Sequence, residues 1–182
     1  MTFSSGLRSI LRQDPDIVMI GEVRDQETAQ IAVRASLTGH LVLSTLHTNS
    51  AVAGLTRLID MGVEPFLISS SLTGIVGQRL VRRVCRDCLQ KEAPTERERE
   101  LFRQADVEAE YVCRGRGCSS CGDSGYRGRL AIHEVLEIDE QINRYIMNQA
   151  SFGEILDYTK QSGMKYLLDD GLEKVAEGLT TT

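Results

Sequence analysis

Four cysteines are grouped in two pairs, Cys85-x-x-Cys88 and Cys118-x-x-Cys121, which lie about 30 residues apart. Each pair can present two thiolates to one side of a tetrahedral ion, as zinc prefers. Four thiolates fill the coordination shell, so the predicted zinc site is structural. Two alternatives stay open, namely reduced cysteines without a metal and, less favoured in a cytosolic chain, a disulfide. Cys113 lies outside both pairs and is either a free thiol or an alternative ligand.

A second group of polar residues follows two short apolar runs. Glu22, Arg24 and Asp25 come directly after the first run, and Thr45 and His47 follow the second. A carboxylate in such a place can orient or deprotonate a water molecule, while a hydroxyl and an imidazole beside it can stabilise phosphate charge. On spacing alone, the stronger interpretation is structural, with a solvated acid at a strand end and a histidine that only completes hydrogen bonds.

The elements that must position these residues begin with a helix and two strands. The helix is predicted through Leu7 and Leu11, with Ser4 or Ser5 as its candidate cap. It should end at Asp14-Pro15, because the residue before a proline avoids the α region. The run Ile17–Ile20 has the unbroken apolar character of a parallel strand that is buried on both faces. A second strand is predicted over Leu41–Leu46.

Helices are predicted between and after these strands. One ends at Gly39, one runs from Asn49 or Ser50 to Gly62, and a longer one is expected from residue 65 to about residue 84. This order predicts an α/β fold with right-handed crossovers onto a parallel sheet. Ligands of such sheets bind at the carboxyl ends of the strands, where the polar residues fall.

Composition narrows the classes of function. The chain has 182 residues, of which 41% are hydrophobic, so it can bury a substantial core. Its net charge of −5 and its 5% aromatic content disfavour nucleic acid as a partner. No apolar run approaches the roughly 18 residues of a membrane span, and the start lacks a signal-peptide profile. We therefore expect a cytoplasmic protein.

Longer stretches of the sequence resemble the secretion ATPase family, whose members power type II secretion and type IV pilus assembly. The stretches are FSSGLRSILR, DPDIVMIGEVRD, TGHLVLSTLHTN, the four-cysteine zone and GYRGR, and together they span essentially the whole chain. The resemblance implies part of a RecA-like, P-loop motor ATPase that assembles as a homohexameric ring on the cytoplasmic face of the inner membrane. It implies an inner-membrane platform and cytoplasmic recruitment proteins as partners.

The resemblance also assigns roles to individual residues. Glu22 matches the Walker B glutamate that activates the attacking water. His40 and His47 fall in the histidine box of the family, and we expect His47 nearer the γ-phosphate because it lies just past the strand end, with His40 structural. The residues expected to support the nucleotide site are His40, in this structural role, and Arg24, Asp25 and Thr45. The implied cofactors are Mg²⁺ with ATP in the complete motor and structural Zn²⁺ at Cys85, Cys88, Cys118 and Cys121.

One family feature is missing from the sequence. Nothing fits the phosphate-binding loop G-x-x-x-x-G-K-[ST], so we expect a fragment or incomplete product of the motor that does not hydrolyse ATP alone. The predicted segments are a partial ATPase core (1–84), a four-cysteine element (85–129) and a helical subdomain (130–182). The alternative is a non-enzymatic, zinc-stabilised module that binds the motor ring or its membrane platform. Secretion and pilus-assembly motors share these motifs, whereas retraction motors normally lack the four cysteines and fit less well.

Overall fold

The computed structural model describes residues 3–182, apart from the side chains of residues 3–5 and 8. The described helices are α1 (Phe3–Leu11), α2 (Gln26–Leu37), α3 (Ala51–Asp60), α4 (Pro65–Ser71), α5 (Glu96–Gln104), α6 (Glu140–Met147), α7 (Phe152–Gln161) and α8 (Leu167–Ala176). The described strands are β1 (Ile17–Ile20), β2 (Leu41–Ser44), β3 (Gly74–Val84), β4 (Leu89–Glu92), β5 (Val112–Gly115) and β6 (Tyr126–Glu137). None of these helices combines the length and apolar character that crossing a bilayer requires. The candidate caps Ser4 and Ser5 have side chains outside the described residues.

The chain divides into two compact units. Unit 1 contains the residues up to Val76 together with Val135–Met164, and unit 2 contains Gly77–Glu134 with Lys165–Thr182. These bounds differ from those of the three predicted segments, because the cysteine segment folds together with most of β3 and with α8. The functional roles given to the three segments stay predictions.

Unit 1 is built on a parallel pair of strands, β1 and β2, with Ile17 opposite Leu41. Helix α2 connects them and begins at its cap Asp25, whose carboxylate accepts a hydrogen bond from the Thr28 N–H at 2.8 Å. Gly39 makes the turn into β2 with a φ of 103°, a value that favours glycine. The strand–helix–strand order confirms the predicted α/β fold.

Helix α3 confirms a second prediction. Its cap is Ser50, whose hydroxyl accepts a hydrogen bond from the Ala53 N–H at 3.1 Å, and the helix ends two residues before Gly62. An apolar core joins α2, α3, α4, α6 and α7 to the strands. Its large, fully buried side chains include Ile20, Leu55, Ile68, Ile142, Ile146 and Ile155.

The prediction that β1 is buried on both faces is wrong. Val18 and Ile20 belong to the core, but Ile17 and Met19 are 60% and 72% exposed. The helices of unit 1 pack on only one face of the two strands. We call the other face the open face, defined by Ile17, Met19, Leu41 and Leu43.

The prediction of one long helix over residues 65–84 is also wrong. Helix α4 ends at Ser71, Leu72 takes an extended backbone conformation, and β3 runs from Gly74 to Val84. Burial alternates along the first part of β3, which is the period of a strand and not of a helix. Strand β2 is likewise shorter than predicted, since it ends at Ser44 and leaves Thr45 and Leu46 beyond it.

Unit 2 contains two small sheets and a second apolar core. Strands β4 and β5 pair antiparallel with Leu89 opposite Gly115, and β3 pairs with β6. Residues after α8 return to this unit, where the Thr180 hydroxyl donates to the Arg82 carbonyl at 2.7 Å. The apolar core is made by Phe102, Val112, Leu172 and Val175.

A buried carboxylate holds several parts of unit 2 together. Glu98 is 3% exposed and accepts hydrogen bonds from Arg114 at 2.8 and 2.9 Å and from the Thr182 hydroxyl at 3.0 Å. It also accepts from the Thr95 N–H, which closes a capping box at the start of α5. Burial works against the charged form, but hydrogen bonds beginning with that of Thr95 outweigh it and lower the pKa of Glu98.

Glu98→Gln is expected to lower the free energy of unfolding by about 2–4 kcal/mol, because it leaves Arg114 without its buried partner. A lowered pKa in the folded state means that the carboxylate contributes stability above its unfolded pKa and loses it as the pH falls through the folded value. The variant should therefore lose less stability on acidification than the wild type. Urea unfolding between pH 3 and 7 measures both effects.

The matched control is Glu96→Gln on the same helix. Its side chain is 86% exposed and forms a 3.7 Å surface pair with Arg99, so stability should change little. Equal stability losses in the two variants would contradict the role of Glu98.

Candidate active site and metal centre

The carboxyl ends of β1 and β2 carry the predicted catalytic residues. The residues that follow β1 and β2 are also hydrogen-bonded to each other, because the Thr45 hydroxyl donates to the Gly21 carbonyl at 2.6 Å. The Val23 N–H in turn donates to the Thr45 carbonyl at 3.0 Å. Between these two bonds lies Glu22, and its side chain meets His47.

The Glu22 carboxylate contacts two basic side chains. Its Oε2 lies 3.0 Å from Nε2 of His47, and its Oε1 contacts the Arg24 guanidinium. The hydrogen bond from Arg24 is the main reason why the pKa of Glu22 is lowered, so this carboxylate is ionised at neutral pH. Apart from its contact with His47, Oε2 has no hydrogen-bond partner among the described residues, and it is shielded from solvent.

Two other predicted site residues lie elsewhere. The Asp25 carboxylate caps α2, and the backbone hydrogen bond from Thr28 lowers its pKa. His40 lies at the opposite end of β2, where its Nδ1 is 3.0 Å from the Ala35 carbonyl and 3.2 Å from the Thr38 hydroxyl. The structure thus brings Glu22, Arg24, Thr45 and His47 to one edge of the sheet and leaves Asp25 and His40 in contacts that hold α2.

The four paired cysteines converge in unit 2. Their Sγ atoms all lie within 4.8 Å of one another. The Sγ–Sγ distances are 3.9 Å for Cys85–Cys118, 3.9 Å for Cys88–Cys121 and 3.7 Å for Cys118–Cys121. Zinc at about 2.3 Å from four sulfurs in a tetrahedron separates them by about 3.8 Å, so this donor set fits a zinc ion.

The backbone around the sulfurs favours the thiolate form at one position. Burial opposes the Cys121 thiolate, but hydrogen bonds from the backbone at Cys118 and Gly125 outweigh it and lower the pKa of Cys121 to about 7. Burial raises the pKa of Cys88 to about 12. Four thiolates this close repel one another without a cation, and a bound metal ion compensates for that repulsion.

A close approach of two glycines supports the second cysteine pair, and sequence reasoning missed it. A Cβ atom on Gly125 would lie 2.4 Å from the Gly115 carbonyl oxygen, and its φ of 75° favours glycine. The Gly125 carbonyl accepts the Cys85 N–H at 2.9 Å, which ties the two cysteine pairs together. The GYRGR stretch, which contributes to the family resemblance, was the available signal.

Gly125→Ala is expected to weaken zinc binding by about 10- to 100-fold, because the backbone that supports the ligands must move. Competition with a chromophoric chelator measures the affinity. Gly128→Ala is the matched control, since Gly128 also has a positive φ, 80°, but a Cβ there would meet nothing within 4 Å. Equal affinities in both variants would contradict the importance of the close approach.

Cys113 lies on β5, outside the group of four sulfurs. It is 3% exposed, and a Cβ on Gly178 would lie 2.7 Å from its Sγ atom. In the described residues the only group of cysteines, histidines and acids able to hold a metal ion is made by Cys85, Cys88, Cys118 and Cys121. The position of Cys113 is therefore that of a packed thiol.

The fold is an α/β fold that also occurs in solved ATPase structures. The chain is similar to the pilus retraction motor PilT with bound ADP, at 25% identity and a TM-score of 0.67, over 99% of this chain and 41% of that one. It matches the fold of the Legionella pneumophila ATPase DotB with a TM-score of 0.65 at 23% identity, over 99% of this chain and 40% of DotB.

Sequence comparison identifies the family. The model for the type II/IV secretion system protein family matches residues 1–182, and the chain belongs to this family. It is 52% identical over 181 residues to the type II secretion system ATPase E of Vibrio cholerae serotype O1 and 50% identical over 183 residues to the type IV pilus assembly ATPase PilB of Thermus thermophilus. These matches cover the whole chain but only 36% and 21% of those two proteins, respectively.

Proposed function

We propose that this chain is part of a cytoplasmic ATPase motor, peripheral to the inner membrane, that couples ATP hydrolysis to type II protein secretion or type IV pilus assembly. The observation that carries the proposal is the ionised Glu22 carboxylate, which lies 3.0 Å from His47 at the carboxyl edge of a parallel sheet. The names of the similar secretion and pilus proteins support the same role.

The side chains at this edge take the following roles. Ionised Glu22 accepts a hydrogen bond from the attacking water and orients it toward the γ-phosphate of Mg²⁺-ATP. His47, on the same side of the carboxylate, stabilises charge on the phosphate, while Arg24 keeps Glu22 ionised. Asp25 and His40 act indirectly by holding α2 between the two strands.

Each of the three predicted segments has its own role in the motor. Residues 1–84 supply the catalytic edge, residues 85–129 form an element stabilised by structural zinc, and residues 130–182 complete a helical subdomain. The chain spans about a third of the Vibrio cholerae relative and lacks a phosphate-binding loop. We therefore propose that it is inactive alone and works in a homohexamer with a membrane platform and recruitment proteins, without nucleic acid.

A chimera tests this function. The matching 181 residues of the Vibrio cholerae ATPase are replaced by this chain, and Mg²⁺-dependent phosphate release is measured for the chimera and for the isolated chain. Hydrolysis by the chimera and none by the isolated chain is the expected result.

The second candidate, a non-enzymatic zinc-stabilised module, predicts a different outcome. The four-sulfur cluster favours it, because that cluster needs no nucleotide. A chimera that binds zinc and assembles but does not hydrolyse ATP would support the module and overturn the motor function. Tight binding of Mg²⁺-ATP by the isolated chain would overturn the proposed incompleteness.

A further inference from the structure

We propose that Thr45 is a positioning residue that holds the backbone on both sides of Glu22 and so sets Glu22 against His47. The inference rests on the proposed function of Glu22. Thr45 bonds to the residue before Glu22 through its hydroxyl and to the residue after it through its carbonyl. One residue therefore fixes the peptide groups on both sides of Glu22.

These two bonds extend the pairing of β1 and β2 past the end of the sheet. The regular register stops where Ile20 faces Ser44. The side-chain bond from Thr45 to the Gly21 carbonyl is short, at 2.6 Å. This bond restrains Gly21, which has more backbone freedom than its neighbours because glycine has no Cβ atom.

The side chains around the carboxylate do not provide the same restraint. Arg24 and His47 have side chains that are 76% and 89% exposed, so each keeps much of its rotational freedom. A Cβ on Gly21 would meet nothing within 4 Å, so packing does not restrain Gly21 itself, whereas Ile20 and Val23 are anchored in the core. The direction of the Glu22 side chain therefore depends on the backbone between Ile20 and Val23, and the Thr45 hydroxyl is the group that restrains Gly21 within it.

Thr45→Val tests the hydroxyl alone, because valine keeps the β-branched shape and the backbone groups. In the chimera we expect kcat for ATP hydrolysis to fall by about 10- to 100-fold, as for a misplaced catalytic group, with the KM for ATP within about twofold. Thr45→Ser restores the hydroxyl and should restore kcat. Thr56→Val is the control, since the Thr56 hydroxyl makes the same kind of bond, to the Ala53 carbonyl at 3.1 Å, within α3.

A second measurement needs no nucleotide. In the full 182-residue chain with zinc, Glu22→Gln should shift the NMR signals of the His47 ring, because the two side chains are in contact. In the Thr45→Val background the same change should leave those signals nearly unchanged.

The outcomes separate this inference from the proposed function. An inactive wild-type chimera would overturn the motor function, whereas the NMR experiment would still decide whether Thr45 positions Glu22. An active chimera whose Thr45→Val variant keeps its kcat, or His47 signals that respond equally to Glu22→Gln in both backgrounds, would overturn the positioning role.

Discussion

Replacing Cys118 with serine is expected to abolish stoichiometric zinc binding and to unfold unit 2. Cys118 lies between two partners of the cluster, with Sγ distances of 3.9 Å to Cys85 and 3.7 Å to Cys121. Structural zinc contributes on the order of 10–16 kcal/mol of apparent binding free energy in small zinc domains, which exceeds the stability of most domains. Metal analysis of the purified chain and thermal unfolding followed by circular dichroism measure the two effects.

Cys113→Ser is the matched control for this prediction. Cys113 is buried in the same unit but lies outside the cluster, so its variant should keep one zinc ion per chain. This should hold even if the substitution disturbs the packing of Cys113 against Gly178. A Cys118 variant with unchanged zinc content and melting temperature would show that the four cysteines do not form a structural metal centre.

Glu22→Gln in the chimera is expected to lower kcat for ATP hydrolysis by at least about 10²-fold, because a neutral amide cannot accept the proton of the attacking water. Nucleotide affinity should change little, since the carboxylate acts on water and not on the base or ribose. Steady-state phosphate release gives kcat, and fluorescent-nucleotide titration gives the affinity.

The control for the loss of this acid is Asp60→Asn, an exposed residue at the end of α3. That variant should keep wild-type hydrolysis. A Glu22→Gln chimera that hydrolyses ATP at the wild-type rate would remove Glu22 from the mechanism.

Local chemistry was predictable from the sequence. Ser50 caps α3, and the cysteines converge as their spacing indicates, because caps and C-x-x-C pairs depend on residues only a few positions apart. Pro65 marked the start of α4, but nothing in the apolar run that follows indicated the change to a strand at Gly74. Helix and strand are hard to distinguish in such runs, since both bury apolar side chains.

Long-range placement was less accessible. The unbroken run Ile17–Ile20 predicted a strand correctly, but the number of covered faces depends on where the helices pack. The hydroxyl bond from Thr45 to Gly21 depends on the register of two strands that are separated by a whole helix. The close approach of Gly115 and Gly125 could likewise not be predicted, because it depends on how two separate backbone segments are placed.

The open face of the sheet in unit 1 has a consequence for handling the isolated chain. Ile17, Met19, Leu41 and Leu43 form an apolar surface on two short strands, each with one strand partner in the described part of the chain. Exposed apolar strands of this kind promote aggregation between copies. Sulfate and other salting-out ions strengthen apolar association. Concentrated solutions of the isolated chain should therefore become turbid at lower protein concentrations in buffers that contain these ions.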